Sequence, residues 1–231
     1  RGPRIRRDAR PMVPALRFLE VLRAGSAAVV RGVILVSFLV GYAVGSLPTA
    51  GWLARLRGVD LRSSGSKNPG ANNANRVGGP TLGLAVLVVE VGKGLLAVAI
   101  GHLMGGDVGA VACGVGAIGG NVYNVWYRFE GGKGLSITAG VLAGAWPTVL
   151  PFLLALLVVV TYLTRSSGRG TLATLGLLSV SSLLWGPLDL STAWGIDDLT
   201  LLPVLGVGAS LLLFQKHFYD ARNPLRESAP Q

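Results

Sequence analysis

Val33-Ile34-Leu35-Val36-Ser37-Phe38-Leu39-Val40-Gly41-Tyr42-Ala43-Val44-Gly45-Ser46-Leu47 carries no charge from end to end. It sits inside an apolar run at 29–55, and an upright helix needs about 20 apolar residues to cross a bilayer. Further apolar runs follow at 80–103, 108–127, 134–146, 148–164, 171–187 and 199–217. Of the 231 residues, 51% are hydrophobic and 14% charged, and the mean hydropathy is +0.56. A soluble domain carries about 25% charged residues. The 34 glycines suit helices that pack closely in lipid. The expected fold is an all-α polytopic membrane protein with about seven transmembrane helices. Run 134–146 is short and Pro147 follows it, so 134–164 is either two short helices or one kinked helix. We favour two.

The net charge is +10. It lies in short clusters between apolar runs, which argues against nucleic acid and for a basic cytoplasmic face. One set of loops holds Arg55, Arg57, Arg62, Lys67 and Arg76 against Asp60, then Arg128 and Lys133, then Arg165 and Arg169. The tail adds Lys216, Arg222 and Arg226. The alternate loops hold Asp107, then no charge at Trp146-Pro147, then Asp189, Asp197 and Asp198. This alternation predicts an outside N-terminus and a cytoplasmic C-terminus. Arg1, Arg4, Arg6, Arg7, Arg10, Arg17, Arg23 and Arg31 pull the other way. The four concordant basic segments outweigh them, and a start at Met12 would remove five. The expected organisation is an arginine-rich extension at 1–28, disordered or interfacial, with 12–26 able to form an interfacial helix. A seven-span domain at 29–217 and a cytoplasmic tail at 218–231 follow. No signal-peptide cleavage site is visible. Cys113, the single cysteine, lies in an apolar run and can form no intrachain disulfide.

Two loops carry chemistry. The first is Gly65-Ser66-Lys67-Asn68-Pro69-Gly70-Ala71-Asn72-Asn73-Ala74-Asn75-Arg76. Small residues let the backbone approach a ligand and aim its N–H groups at an anion. Arg76 adds a planar cationic fork suited to phosphate. The second is Gly131-Gly132-Lys133-Gly134, at the entry of another apolar run. Both fall on the expected cytoplasmic side and together suggest a phosphorylated substrate.

In these loops and their neighbours the chain resembles the PlsY family, membrane glycerol-3-phosphate acyltransferases that use acyl-phosphate as donor. The resemblance covers about residues 38–226. Gly45-Ser46-Leu47-Pro48 is similar to the family's GS-P element, and Gly58-Val59-Asp60-Leu61-Arg62 to its G-x-D-I/L-R. Residues 65–76 resemble GSGN-x-GATN-xx-R. Glu90 with Lys93-Gly94 resembles D-xx-KG, and Phe129-Glu130-Gly131-Gly132-Lys133-Gly134 resembles FKGGKG. Thr171-Leu172-Ala173-Thr174 stands where the family has SLAS, and Lys216-His217 where it has a basic-His pair. The departures are Lys67 for glycine, Asn72 for threonine, Glu90 for aspartate, Asn121 for histidine, Asn124 for proline and Asp220 for asparagine. The resemblance is therefore that of a divergent member.

The resemblance implies acyl transfer to the sn-1 hydroxyl of glycerol-3-phosphate, giving lysophosphatidic acid and phosphate, in the bacterial inner membrane. It implies no cofactor, no metal and no obligate protein partner. Arg76 and Lys133 would bind the two phosphates. Ser66, Asn68 and the amides of Gly65, Gly70, Asn73, Gly131, Gly132 and Gly134 would hold donor phosphate and developing oxyanion. Thr174, His217 and Asp220 would hold glycerol-3-phosphate. No general base stands in the matched loops, which fits a substrate phosphate taking the hydroxyl proton; His217 is the rival. Glu90 and Lys93, three apart on a helix, read as a structural pair. Thr174 also has a plainer reading, bonding its own helix. The competing function is a lipid- or anion-binding or transport protein that lost the chemistry. Two decoys remain. Gly114-Val115-Gly116-Ala117-Ile118-Gly119 spells a dinucleotide fingerprint without its strand or acidic partner, so close helix packing explains it better. His102 and Asp107 have the H-x4-D spacing of thioester-using acyltransferases, on a short outer loop.

Overall fold

The computed structural model describes residues 14–222, with side chains from Ser26 onward. These residues are helical, with no strand among them. Helix α1 (Pro14–Ser46) runs unbroken past residue 28, and α2 (Thr49–Arg55) follows it. The expected run 29–55 is thus split. Pro48 has no N–H to extend α1 and disfavours helical backbone at Leu47. Carbonyls at the end of α1 and just past it are met by side chains: Asn124 Nδ2 donates to Ser46 O at 2.7 Å and Lys93 Nζ to Leu47 O at 2.9 Å. Residues 1–13 of the expected extension and 223–231 of the expected tail lie outside the described residues.

Helix α3 (Ala71–Val122) is 52 residues long, far beyond one crossing. It leaves helical geometry at Gly79, Gly105 and Gly106. Gly106 has φ 58 and ψ −143, a region open only to glycine. There the chain doubles back: a β-carbon on Gly101 would overlap the carbonyl oxygen of Gly109, and one on Gly114 would touch Val98 Cγ2 at 3.5 Å. Residues 80–104 and 107–122 are therefore antiparallel limbs of one hairpin, matching the expected runs at 80–103 and 108–127.

Helices α4 (Leu135–Ala145) and α5 (Leu150–Thr164) are separate, with a turn at Pro147–Val149 between them. Ser166 starts α6 (Ser167–Leu184) by accepting the N–H of Arg169 at 3.3 Å, and α7 (Leu202–Arg222) ends the described chain. Among the described residues four stretches are long and apolar enough to cross a membrane: Ser26–Arg55, Ala71–Tyr127, Pro147–Thr164 and Leu199–Arg222. Leu135–Ala145 is apolar but shorter.

Small residues bring the helices together. β-Carbons on Gly41 and Gly45 of α1 would overlap the carbonyl oxygens of Cys113 and Ala117, and one on Gly116 that of Phe38. The glycine-rich decoy is thus a packing face, as small-residue spacing in lipid leads one to expect. Ile118, Ile137, Val141, Trp146, Leu178, Leu205 and Leu213 fill the centre. On the outside, Leu35, Leu39, Phe152, Val158, Tyr162 and Leu163 lie exposed. An apolar exterior of this kind belongs in hydrocarbon.

Candidate active site

Three helix starts meet at one end of the bundle. The first turns of α3, α4 and α6 contribute Ala71, Asn72 and Asn73, then Leu135 and Ser136, then Ser167, to the wall of one cavity of about 170 Å³. Gly70 and Gly134 begin α3 and α4 with no side chain capping the backbone N–H groups, and no acidic residue lies in any of the three first turns. Each start leaves N–H donors and a positive dipole end, which suit an anion. Arg76 and Lys133 line the same cavity. The two glycine-rich loops therefore face one another across a common space.

The first loop is tied down from inside. Asn73 is 2% exposed; its Oδ1 accepts the N–H of Ser66 at 2.8 Å, while Nδ2 donates to Leu61 O at 3.0 Å and Ser64 O at 3.1 Å. Three of its amide's four hydrogen-bonding sites are thereby used. Gly65 has φ +58, and a β-carbon there would strike the Asn73 oxygen. Upstream, Asp60 accepts the N–H of Arg62 at 3.0 Å and the Ser63 hydroxyl at 3.0 Å. Those donors hold the Asp60 carboxyl below the usual carboxylate range.

The second loop is held by two cations. Lys216 Nζ donates to Val122 O at 3.1 Å, Gly131 O at 2.7 Å and Gly132 O at 2.9 Å. A cation on the last carbonyls of α3 also complements its dipole. Arg62 reaches across from the first loop, donating to Glu130 O at 2.9 Å and lying 4.5 Å from the centre of the Tyr127 ring. His217, 2% exposed, sets Nε2 3.2 Å from Lys133 O. A carbonyl only accepts, so this nitrogen carries the hydrogen. Asp220 pairs with the Lys133 ammonium.

Beneath the cavity lies a buried polar network. Glu90 accepts from Thr49 Oγ1 at 2.8 Å, Asn121 Nδ2 at 2.7 Å and Lys93 Nζ at 3.1 Å. With Lys93 also on Leu47 O, this ion pair joins α2, both limbs of α3 and the end of α1. Desolvation of so buried a pair is offset only when its remaining donors and acceptors are matched, as they are here.

Of the residues expected at a site, Ser66, Asn68, Gly70, Asn73, Arg76, Gly132, Lys133, Gly134 and His217 line the cavity. Gly65, Gly131, Thr174 and Asp220 do not. Gly65 and Gly131 shape the loops behind it. Thr174 donates to its own helix at Gly170 O, 2.9 Å away. Glu90, Asn121, Ser136 and Ser167 line the cavity without having been singled out for it. Asn121 and Glu90 had a signal, being polar groups inside apolar runs. Ser136 and Ser167 had none beyond their positions at helix starts.

A family model described as glycerol-3-phosphate acyltransferase matches residues 35–226. The chain is similar to glycerol-3-phosphate acyltransferases of Nitrobacter winogradskyi and Bradyrhizobium diazoefficiens. The first is 42% identical over 154 residues, covering 66% of this chain and 77% of the relative. The second is 36% identical over 184 residues, covering 79% and 86%. The fold is similar to that of PlsY, an integral membrane glycerol 3-phosphate acyltransferase solved in its glycerol 3-phosphate form. The TM-score is 0.66 at 22% identity, over 87% of this chain and 94% of that one. The lysophosphatidic acid form of PlsY gives 0.68 at 20% identity, over 86% and 94%.

Proposed function

Because the chain belongs to the glycerol-3-phosphate acyltransferase family, we propose that it acylates the sn-1 hydroxyl of glycerol-3-phosphate in this cavity, with acyl-phosphate as donor. The observation that carries the reading is the meeting of three helix starts, Arg76 and Lys133 on one small space. Two phosphate groups repel one another, and only convergent cations and N–H donors hold them in reach. Arg76 and Lys133 neutralise the phosphates. Ser66, Asn68 and the amides of the two glycine loops take the donor phosphate and the carbonyl oxygen as charge develops on it. His217 and Asp220 orient the acceptor, the latter through Lys133.

The step balances without a protein base. The acceptor hydroxyl oxygen attacks the acyl carbonyl carbon and forms the ester bond. The bond from that carbon to the phosphate oxygen breaks, and phosphate leaves with the electron pair. The hydroxyl proton passes to a phosphate oxygen. Phosphate is a good leaving group, so the main demand on the protein is electrostatic.

The cavity opens toward the cytoplasm of a bacterial cell, in its inner membrane. Seven limbs cross, with the N-terminus outside: α1, the two limbs of α3, and α4 to α7. The site end gathers Arg55, Arg57, Arg62, Arg128 and Arg169, and the far end gathers Asp107, Asp189, Asp197 and Asp198, which favours that orientation. The test is purified protein with acyl-phosphate and labelled glycerol-3-phosphate, acyl thioester serving as the control donor. Labelled lysophosphatidic acid with equimolar phosphate is expected from acyl-phosphate alone. Binding of glycerol-3-phosphate without transfer would instead mark a binding or transport homologue.

A further inference from the structure

Lys67 stands out in the loop that walls the cavity. Its neighbours on either side, Ser66 and Asn68, both line the cavity, while Lys67 itself is exposed. Its backbone lies at φ 59, a region where a lysine side chain is strained and a glycine is not. The backbone N–H is engaged by Ser64 O at 3.1 Å, but the ammonium has no protein partner among the described residues. A cation at a strained position with no partner among the described residues invites the question of what it attracts.

We infer that Lys67 is an electrostatic guide for phosphorylated substrates, drawing glycerol-3-phosphate to the cavity without taking part in the chemistry. This rests on the reading above that the cavity takes that substrate. The ammonium lies within about 10 Å of the Cα atoms of Ser66 and Asn68, which line the cavity, from the spacing of adjacent Cα positions and the length of its stem. That is comparable to the Debye length at physiological salt, so its field reaches an incoming dianion. Charge at a cleft raises capture rather than turnover. Coulomb attraction between one cation and a dianion at about 10 Å in water corresponds to roughly a threefold gain in local concentration at low salt.

The experiment compares the full protein with Lys67→Gln, Lys67→Arg and Lys67→Gly, measuring kcat and KM for glycerol-3-phosphate across ionic strength, with direct glycerol-3-phosphate binding alongside. Lys67→Gln is expected to raise KM about threefold at low salt and to leave kcat within twofold. The difference should vanish near 1 M salt, where the Debye length is about 3 Å. Lys67→Arg should behave as the parent. Lys67→Gly should match Lys67→Gln, because it removes the charge while freeing the backbone. An unchanged KM and binding constant in Lys67→Gln at low salt overturns the inference, as does a salt-independent loss confined to kcat. If the parent transfers nothing to glycerol-3-phosphate but Lys67→Gln still binds it more weakly at low salt and equally near 1 M salt, the reading of the activity falls and this one stands.

Discussion

The two ends of the bundle each hold a histidine, an aspartate-bearing segment and a cavity, yet among the described residues the helix starts and cations converge at one of them. At the far end the void is larger, about 1020 Å³, and is walled by Leu95, Leu96, Val98, Leu103 and Trp194. His102 is exposed there and sits 3.5 Å from Asp107. Asp107 spends its other oxygen on the N–H groups of Asp197 and Asp198, each at 2.8 Å. It is a loop anchor more than a partner for a base. At the site end the space is about 170 Å³, but helix starts and cations converge on it. Volume and an H-x4-D spacing do not make a site for anions; donors aimed at one point do.

The sharpest way to break this comparison is to truncate single side chains at each end. Arg76→Ala and Lys133→Ala should each lower turnover by about 10²–10³ in the acyl-transfer assay. His102→Ala should stay within about twofold. A large loss there with normal rates in the other two reverses the assignment.

The buried network sharpens it next. Lys93→Met leaves Glu90 as an unmatched buried charge and should cost about 3 kcal/mol of stability, read by thermal unfolding in detergent. Adding Glu90→Gln should recover much of that, whereas additive losses would show that the pair is not a unit. Asn73→Asp removes two donors from Leu61 O and Ser64 O and should cost about 1–3 kcal/mol, with activity falling as the loop loosens. The smallest effect belongs to Asp60. Its folded-state pKa is depressed, so its contribution is full above the ordinary value of 3.8 and fades as pH falls through the lower folded value. Asp60→Asn should therefore unfold slightly earlier than the parent at pH 7, and the two should converge in strong acid.

Much of this was readable from the chain. The apolar runs marked the helical limbs, and Pro147 marked the division of α4 from α5. The loops were legible because their chemistry sits on residues adjacent in sequence, Gly65 to Arg76 and Gly131 to Gly134. The split at Pro48 leaves no mark in the apolar pattern, because apolar residues continue on both sides and hydropathy hides a backbone break. The grip of Lys216 on three carbonyls, the clamp of Arg62 on Glu130 and the arrival of Ser167 at the cavity depend on which helix ends meet, and no local spacing encodes that. Thr174 carries two readings, a substrate contact by its motif and a bond to its own helix, and its hydroxyl is on Gly170 O, as in the second.

The most direct measurement places a reporter at each end. In a Cys113→Ala background, cysteine is introduced singly as Ser136→Cys in the cavity wall and Leu103→Cys beside the far void, and maleimide labelling is timed with and without glycerol-3-phosphate. The account predicts that glycerol-3-phosphate slows labelling at position 136 and leaves position 103 unchanged. Protection at 103 with none at 136 would contradict it.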